Sequence, residues 1–288
     1  MKRNESADSL RKLLASPGLN VMPCCFDALS AKMIAQAGFP LTFMSGFAVS
    51  AARLGEPDTG LISYGEMIDQ GRNICAAVDV PVIGDGDTGY GNPVNVRRTV
   101  QGYAAAGFAS VMIEDQIAPK RCGHTRGKAV VGRDEAFSRI RAAIDARNEG
   151  QDILILARTD ARHDHGLDEA ITRAQQFAEM GADILFVEAP HSEAEMRRVC
   201  EEVPGIKMAN LVEGGDTPIL SHQLLEEIGY SIAAYPLTLL NSAMLAMQKA
   251  LATMKHGGHP DRLMDFAELR KIVGFEDYYE LEQRYRDK

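Results

Sequence analysis

One pattern recurs along this chain and limits what it can fold into: a helix end, a glycine, then a short apolar run. It stands at residues 35–46 (AQAGFPLTFMSG), 104–115 (AAAGFASVMIED), 179–189 (EMGADILFVEA) and 227–237 (EIGYSIAAYPL). The glycine suits the left-handed position that ends a helix, and the run after it has the length and composition of a strand. LNVMPCCF, VPVIGDGD, DILILARTD and IKMANLV supply four more runs, each followed by a helical segment. The runs are almost uninterruptedly apolar, as parallel strands covered on both faces must be. Ser63 with Glu66 and Ser192 with Glu195 have capping-box spacing, and Asn92 precedes a proline at a first helical position. Eight strand–helix units in 288 residues, 45% of them hydrophobic, fit a (β/α)8 TIM-type barrel better than an open doubly wound sheet. The barrel, with a short amphipathic helix over residues 1–16, is expected to occupy residues 1–255, and residues 256–288 to form a C-terminal helical extension. Two helices are expected beyond the eighth unit, over 238–255 and 265–287, separated by HGGHPDR.

A net charge of −9 and a pI near 5.3 argue against nucleic acid or an anionic membrane as partner, because both require a basic face. No GxGxxG turn follows the first run and no P-loop is present, so neither a dinucleotide fold nor a nucleoside triphosphatase is indicated. The first 16 residues lack the apolar core of a signal peptide, and no apolar run approaches the roughly 20 residues of a membrane helix. A cytoplasmic protein is expected. The five cysteines form no CxxC pair and are expected to be reduced.

In a barrel of this kind chemistry belongs at the C-terminal ends of the strands, and the polar residues gather there. Ser45 and Gly46 follow the second run, Asp85 and Asp87 the third and Glu114 the fourth; Arg158 and Asp160 follow the fifth, Glu188 the sixth, Asn210 the seventh and Tyr235 the eighth. Asp85 and Asp87, two apart on a strand, should face the same way, and two like charges so placed need a cation between them. Oxygen ligands favour Mg²⁺ or Mn²⁺, and Glu114 strengthens that reading. The alternative is a pair of acids that merely opens a turn before Gly89. Arg158 either pairs with an acid or holds an anionic substrate. His163, His165, His256 and His259 have no partners at ligand spacing and read as loop residues. Cys122 is set among Lys120, Arg121, His124, Arg126 and Lys128, a positive field that favours thiolate over thiol.

GDGDTGYGN, the IEDQ that ends the fourth run and above all PKRCGH resemble the isocitrate lyase and phosphoenolpyruvate mutase superfamily, whose members share a metal-bearing (β/α)8 barrel. The resemblance runs from about residue 7 to 255 and more loosely beyond. Its carbon–carbon lyases carry a cysteine in the PKRCGH loop and its P–C bond enzymes lack one, so Cys122 implies a lyase. CGHTRGKAVV, LFVEAP, MANLVEGGDTPIL, LEEIGY and AAYPL resemble the alkylmalate branch, that of 2,3-dimethylmalate lyase and the petal death protein. The 2-methylisocitrate lyases place an arginine six residues after the tyrosine of this YPL segment, to hold a further carboxylate. Asn241 stands there in this chain, which implies a dicarboxylate substrate, because a charge-assisted hydrogen bond is worth about 1.5–3 kcal/mol.

The resemblance further implies Mg²⁺ (Mn²⁺ as an alternative) held through Asp85, with Asp87 and Glu114 acting directly or through water. Arg158 pairs with a substrate carboxylate. Phe43, Ser45, Gly46, Glu188, Asn210, Pro236 and Asn241 surround the substrate, Phe43 replacing a tyrosine of the methylisocitrate lyases, and Asp58 stands behind them. Cys122, with His124 beside it in the catalytic set, protonates C3 of the leaving enolate from a loop that closes over the site. The implied reaction cleaves an alkyl-substituted malate to a 2-oxo acid such as pyruvate and a monocarboxylate. Cleavage of 2-methylisocitrate, hydrolysis of oxaloacetate, and dicarboxylate binding without turnover are the alternatives. A homotetramer that exchanges a C-terminal helix is implied as well.

Overall fold

The computed structural model describes residues 4–124 and 127–286. Eight parallel strands close into a barrel in sequence order: β1 (Asn20–Cys25), β2 (Thr42–Met44), β3 (Val82–Asp85), β4 (Ser110–Glu114), β5 (Leu154–Thr159), β6 (Ile184–Val187), β7 (Ile206–Asn210) and β8 (Ile232–Tyr235). β8 closes on β1, with Asn20 opposite Ile232 and Pro23 opposite Tyr235. The helices are α1 (Glu5–Ala15), α2 (Ala28–Gln36), α3 (Gly46–Leu54), α4 (Tyr64–Ala77), α5 (Pro93–Ala106), α6 (Arg133–Asn148), α7 (Ala161–His165), α8 (Leu167–Met180), α9 (Glu193–Glu202), α10 (His222–Ile228), α11 (Thr238–Lys255), α12 (Phe266–Val273) and α13 (Phe275–Arg286). The barrel expected from the recurring pattern is present, and its punctuation is as the residues require. Gly107, Gly181 and Gly229 end α5, α8 and α10 with φ of 99°, 100° and 108°, a region closed to most side chains. Ser63 and Glu66 form a reciprocal capping box on α4, and Asn92 caps α5 ahead of its proline.

Two local expectations are corrected. The ARHDHGL segment carries α7, where a loop was expected. The helix expected over 265–287 is broken at Gly274, whose φ of 93° ends α12 and lets α13 start anew.

Side chains alternate along each strand between the barrel's inside and its helical jacket. Met22, Ile83, Met112, Leu156, Ile184 and Ile232 point inward and meet Ala7, Leu10 and Leu14 of α1, which closes the bottom. Asn4 fastens that helix by donating to the carbonyls of Phe108 and Asp152, and Arg11 reaches Asp152 at 2.6 Å. Val111, Ile113, Ile155 and Ala157 point outward into the jacket. The same alternation, carried to the top, delivers Ser45, Asp85, Glu114, Arg158, Glu188, Asn210 and Pro236 to the inside of the mouth. It sends Tyr235 outward, where its hydroxyl meets His222 Nε2 at 2.9 Å, so this residue of the eighth run is not among the cavity's lining residues.

The chain divides into two compact units, Met1–Leu239 and Leu240–Lys288. The second contains most of α11 with α12 and α13, and no residue of α12 or α13 is buried. Among the described residues no helix is long and apolar enough to cross a membrane.

Candidate active site

Six buried acids, Asp58, Asp85, Asp87, Glu114, Asp160 and Glu188, gather at the mouth against three buried cations, Lys120, Lys128 and Arg158. That excess of negative charge inside a low-dielectric space calls for a further cation or for protons. Asp85 ends β3; its Oδ1 accepts from the Asp87 N–H at 3.0 Å and its Oδ2 from the Gly46 N–H at 3.1 Å. Asp87 therefore does not share a strand face with Asp85. It lies past the strand end with φ 48°, a left-handed conformation that aspartate tolerates better than most residues. The two acids are brought together by a turn, not by strand alternation. The Gly46 amide, expected to face substrate, is engaged by Asp85, and a Cβ at Gly46 would lie 2.5 Å from Asp85 Oδ2.

Lys120 Nζ lies 2.7 Å from Asp58 Oδ1 and 2.8 Å from Asp87 Oδ1. Burial pushes the Asp87 carboxyl up to about 7; Lys120 opposes the rise, and Asp85 and Asp58 add to it. Asp58, expected behind the substrate contacts, lines the cavity itself, as does Lys120. Sequence reasoning read Lys120 only as one charge around Cys122. The usable signal was the surplus of acids, which demanded a buried counter-charge from a neighbouring loop.

Arg158 pairs with acids, the first of the readings open to it, and keeps an open side. Its guanidinium meets Asp160 at 2.8 and 2.9 Å, Glu114 at 3.3 Å and Glu188 at 3.0 Å, stacks 5.1 Å from the Phe186 ring centre, and still lines the cavity. Burial drives the Glu114 carboxyl well above the usual range despite Arg158, and its Oε1 is buried with no hydrogen-bond partner. Glu188 goes the other way: burial opposes its charge, but Arg158 and His124 hold it below the usual range. His124 Nδ1 accepts from the Asp216 N–H at 3.1 Å, so the neutral ring carries its proton on Nε2, 3.2 Å from Glu188 Oε1. Asn210 Nδ2 donates to Glu188 Oε2 at 3.2 Å.

Orphaned Glu114 Oε1, raised Asp87 and Asp85 ending β3 fit a divalent cation. Among the described residues no three acid, histidine or cysteine side chains converge as direct ligands.

The expectation of a thiolate at Cys122 is reversed. Burial pushes its thiol up to about 11; the His124 backbone N–H and Arg158 pull it down, and Asp58 and Glu188 push it up. The loop's lysines face barrel carboxylates, Lys120 toward Asp58 and Asp87 and Lys128 toward Asp160 at 3.8 Å while it bonds the Gly123 carbonyl; the His124 ring lies against Glu188, and Arg121 lines the cavity. Arg126 lies outside the described residues. The result is a neutral, protonated thiol in the cavity wall. The Cys122 N–H donates to the Asp58 carbonyl at 3.2 Å, which ties the loop to the segment after α3.

Gly123 is required by this closeness, since a Cβ there would stand 2.5 Å from Arg158 Nη2 and 2.6 Å from Glu188 Cγ. A Gly123→Ala variant should lose roughly tenfold or more in kcat/KM, the overpacking being felt where loop meets barrel. Its melting midpoint should barely move, and unchanged kinetics would show that the loop can sit further out. Phe43, Phe47, Phe186, Met208, Val212 and Leu237 give the cavity an apolar wall, and Pro236 joins them. Asn241 belongs to the second compact unit, exposed on α11.

Comparison with known proteins agrees with this geometry. Residues 10–255 match the phosphoenolpyruvate phosphomutase family. The 2,3-dimethylmalate lyase of Eubacterium barkeri is 42% identical over 284 residues, covering 97% of this chain and 98% of its own. An oxaloacetate acetylhydrolase complexed with 3,3-difluorooxalacetate superposes with a TM-score of 0.93 at 34% identity, over 97% of both chains. A phosphonopyruvate hydrolase complexed with oxalate and Mg²⁺ does so at 0.86 and 29%, over 97% of this chain and 99% of its own. A closed parallel barrel with an acid-rich mouth and a cysteine-bearing loop after β4, matched along nearly its whole length, places this chain in the phosphoenolpyruvate mutase/isocitrate lyase superfamily.

Proposed function

We propose that this enzyme is a divalent-metal-dependent lyase that cleaves the C2–C3 bond of an alkyl-substituted malate, releasing pyruvate or a related 2-oxo acid and a monocarboxylate. The observation that carries the reading is a protonated thiol, Cys122, held over a carboxylate-rich pocket that has one apolar wall. Asp85 would hold the cation, Mg²⁺ or Mn²⁺, with Asp87 and Glu114 acting through water. Bound there, the ion supplies Lewis acidity that lowers the pKa of the substrate's 2-hydroxyl. Arg158 pairs with a substrate carboxylate. Ser45 Oγ accepts from the Ala48 N–H, which leaves its own hydrogen to donate to substrate. As the 2-hydroxyl passes its proton to a carboxylate of the mouth, C2 becomes a carbonyl and the C2–C3 electron pair passes to C3. Cys122 then delivers its proton to C3, and the loop keeps water from doing so. The apolar wall accommodates the alkyl groups.

Hydrolysis of oxaloacetate is the second reading, favoured by the close superposition on the acetylhydrolase. The testing experiment follows pyruvate release from 2,3-dimethylmalate and 2-methylisocitrate side by side, with Mg²⁺ and with EDTA. Release from dimethylmalate alone, abolished by EDTA, is expected. Preference for methylisocitrate would mean that another group replaces the arginine missing at Asn241, and silence on both would turn the assignment toward oxaloacetate. The protein is proposed to work in the cytoplasm as a homotetramer, whose exchanged C-terminal helices would cover exposed Phe266, Leu269, Phe275 and Tyr285.

A further inference from the structure

Arg158 stands among three carboxylates, and only one of them grips it in two places. Asp160 Oδ2 and Oδ1 take its Nε and Nη2 at 2.8 and 2.9 Å, which fixes the plane of the guanidinium as well as its position. Glu114 and Glu188 approach the same two nitrogens, at 3.3 and 3.0 Å. Nη1 is left without a partner among the described residues, on a side chain that lines the cavity. Asp160 is anchored from behind. Its N–H donates to Asp115 Oδ1 at 2.9 Å, and Asp115 Oδ2 accepts from Thr159 Oγ1 at 2.7 Å and from Arg173 Nη1 at 3.0 Å. Asp115 and Asp160 are each only 1% exposed. Neither belongs to the cavity lining, so neither is placed to touch substrate.

We propose that Asp160 is a positioning residue: backed by Asp115, it turns Arg158 so that Nη1 faces a substrate carboxylate. Without that two-point grip the guanidinium is shared among Glu114, Glu188 and substrate, and it no longer presents a fixed donor. The inference rests on the lyase reading for the identity of the substrate, but not for the binding of a carboxylate.

The test measures two quantities, oxalate affinity by calorimetry in Mg²⁺ and pyruvate release from 2,3-dimethylmalate, in wild type, Asp160→Asn, Asp160→Glu, Arg158→Lys and the Asp160→Asn/Arg158→Lys pair. Asp160→Asn should weaken oxalate and raise KM by roughly tenfold or more, with a smaller change in kcat. Asp160→Glu should recover part of the loss, and the double variant should be no worse than Arg158→Lys, since Asp160 acts through Arg158. Wild-type behaviour in a folded Asp160→Asn, fully additive losses, or oxalate affinity indifferent to Arg158→Lys would each overturn the proposal. Absence of pyruvate from the wild type would refute the proposed reaction instead, and the oxalate measurements would still decide the role of Asp160.

Discussion

Replacing Cys122 with serine is expected to lower kcat by about 10²- to 10⁴-fold, the usual contribution of a general acid, while oxalate affinity and melting midpoint stay near wild type. The two side chains differ little in size, and the site already holds a neutral donor, so the substitution changes proton supply and not charge. Burial raises the thiol to about 11, so the proton is in place across the physiological range and the loss should be the same at pH 6 and at pH 9. Alkylation by iodoacetamide should accordingly be slow at pH 7 and quicken as pH climbs toward 11, because only the thiolate reacts. Normal turnover by the serine variant would remove Cys122 from the mechanism. Fast alkylation at pH 7 would mean that the loop's cations do reach the sulfur.

The second large effect is expected at Lys120. A Lys120→Met variant leaves Asp58 and Asp87 buried without their shared counter-charge, a change that typically destabilises by about 3–5 kcal/mol. In a domain of this size that corresponds to a fall in melting midpoint of roughly 6–20 °C. Measured in EDTA, the fall should be greater at pH 8 than at pH 5. With Lys120 present Asp87 is pushed up to about 7, and losing the lysine, which pulls it down, raises it further, so in the variant the carboxyl is protonated and uncharged at pH 5 and carries its unpaired charge increasingly as pH rises. Adding Mg²⁺ should restore part of the midpoint if the freed carboxylates hold a cation. A midpoint unmoved in EDTA at pH 8 would mean that the two acids are satisfied without the lysine.

Much of the barrel was legible because its signals are local. Glycines at helix ends, capping pairs and apolar runs each act over a few residues, and eight repetitions leave little choice of architecture. The mouth was legible in part for the same reason, since polar residues closing apolar runs mark the strand ends. What could not be read depends on contacts between separate stretches. The left-handed turn at Asp87 follows from its hydrogen bond to Asp85 and from the glycines around it, and strand alternation alone misplaced it. The state of Cys122 was misjudged because its neighbours in sequence are cations, whereas burial, which sequence does not show, dominates in the fold, and Asp58 and Glu188 add to it while Lys120 is taken up by Asp58 and Asp87. Asp160 was seen, but not its grip on Arg158, because Asp115, which anchors it, points out of the barrel. Outward or inward direction at Asp115 and Tyr235 was available from counting along each strand in twos.

The two ends of the barrel are finished by different forces. The bottom is sealed by α1 through apolar packing and a few fixed hydrogen bonds, whereas the top is held chiefly by ion pairs among side chains from the strand ends and the loops that follow them. For evolution this separates inheritance from invention. Substitutions at the mouth can alter which bond is broken while the apolar seal at the bottom stays intact, so descent from one scaffold can yield lyases, mutases and hydrolases.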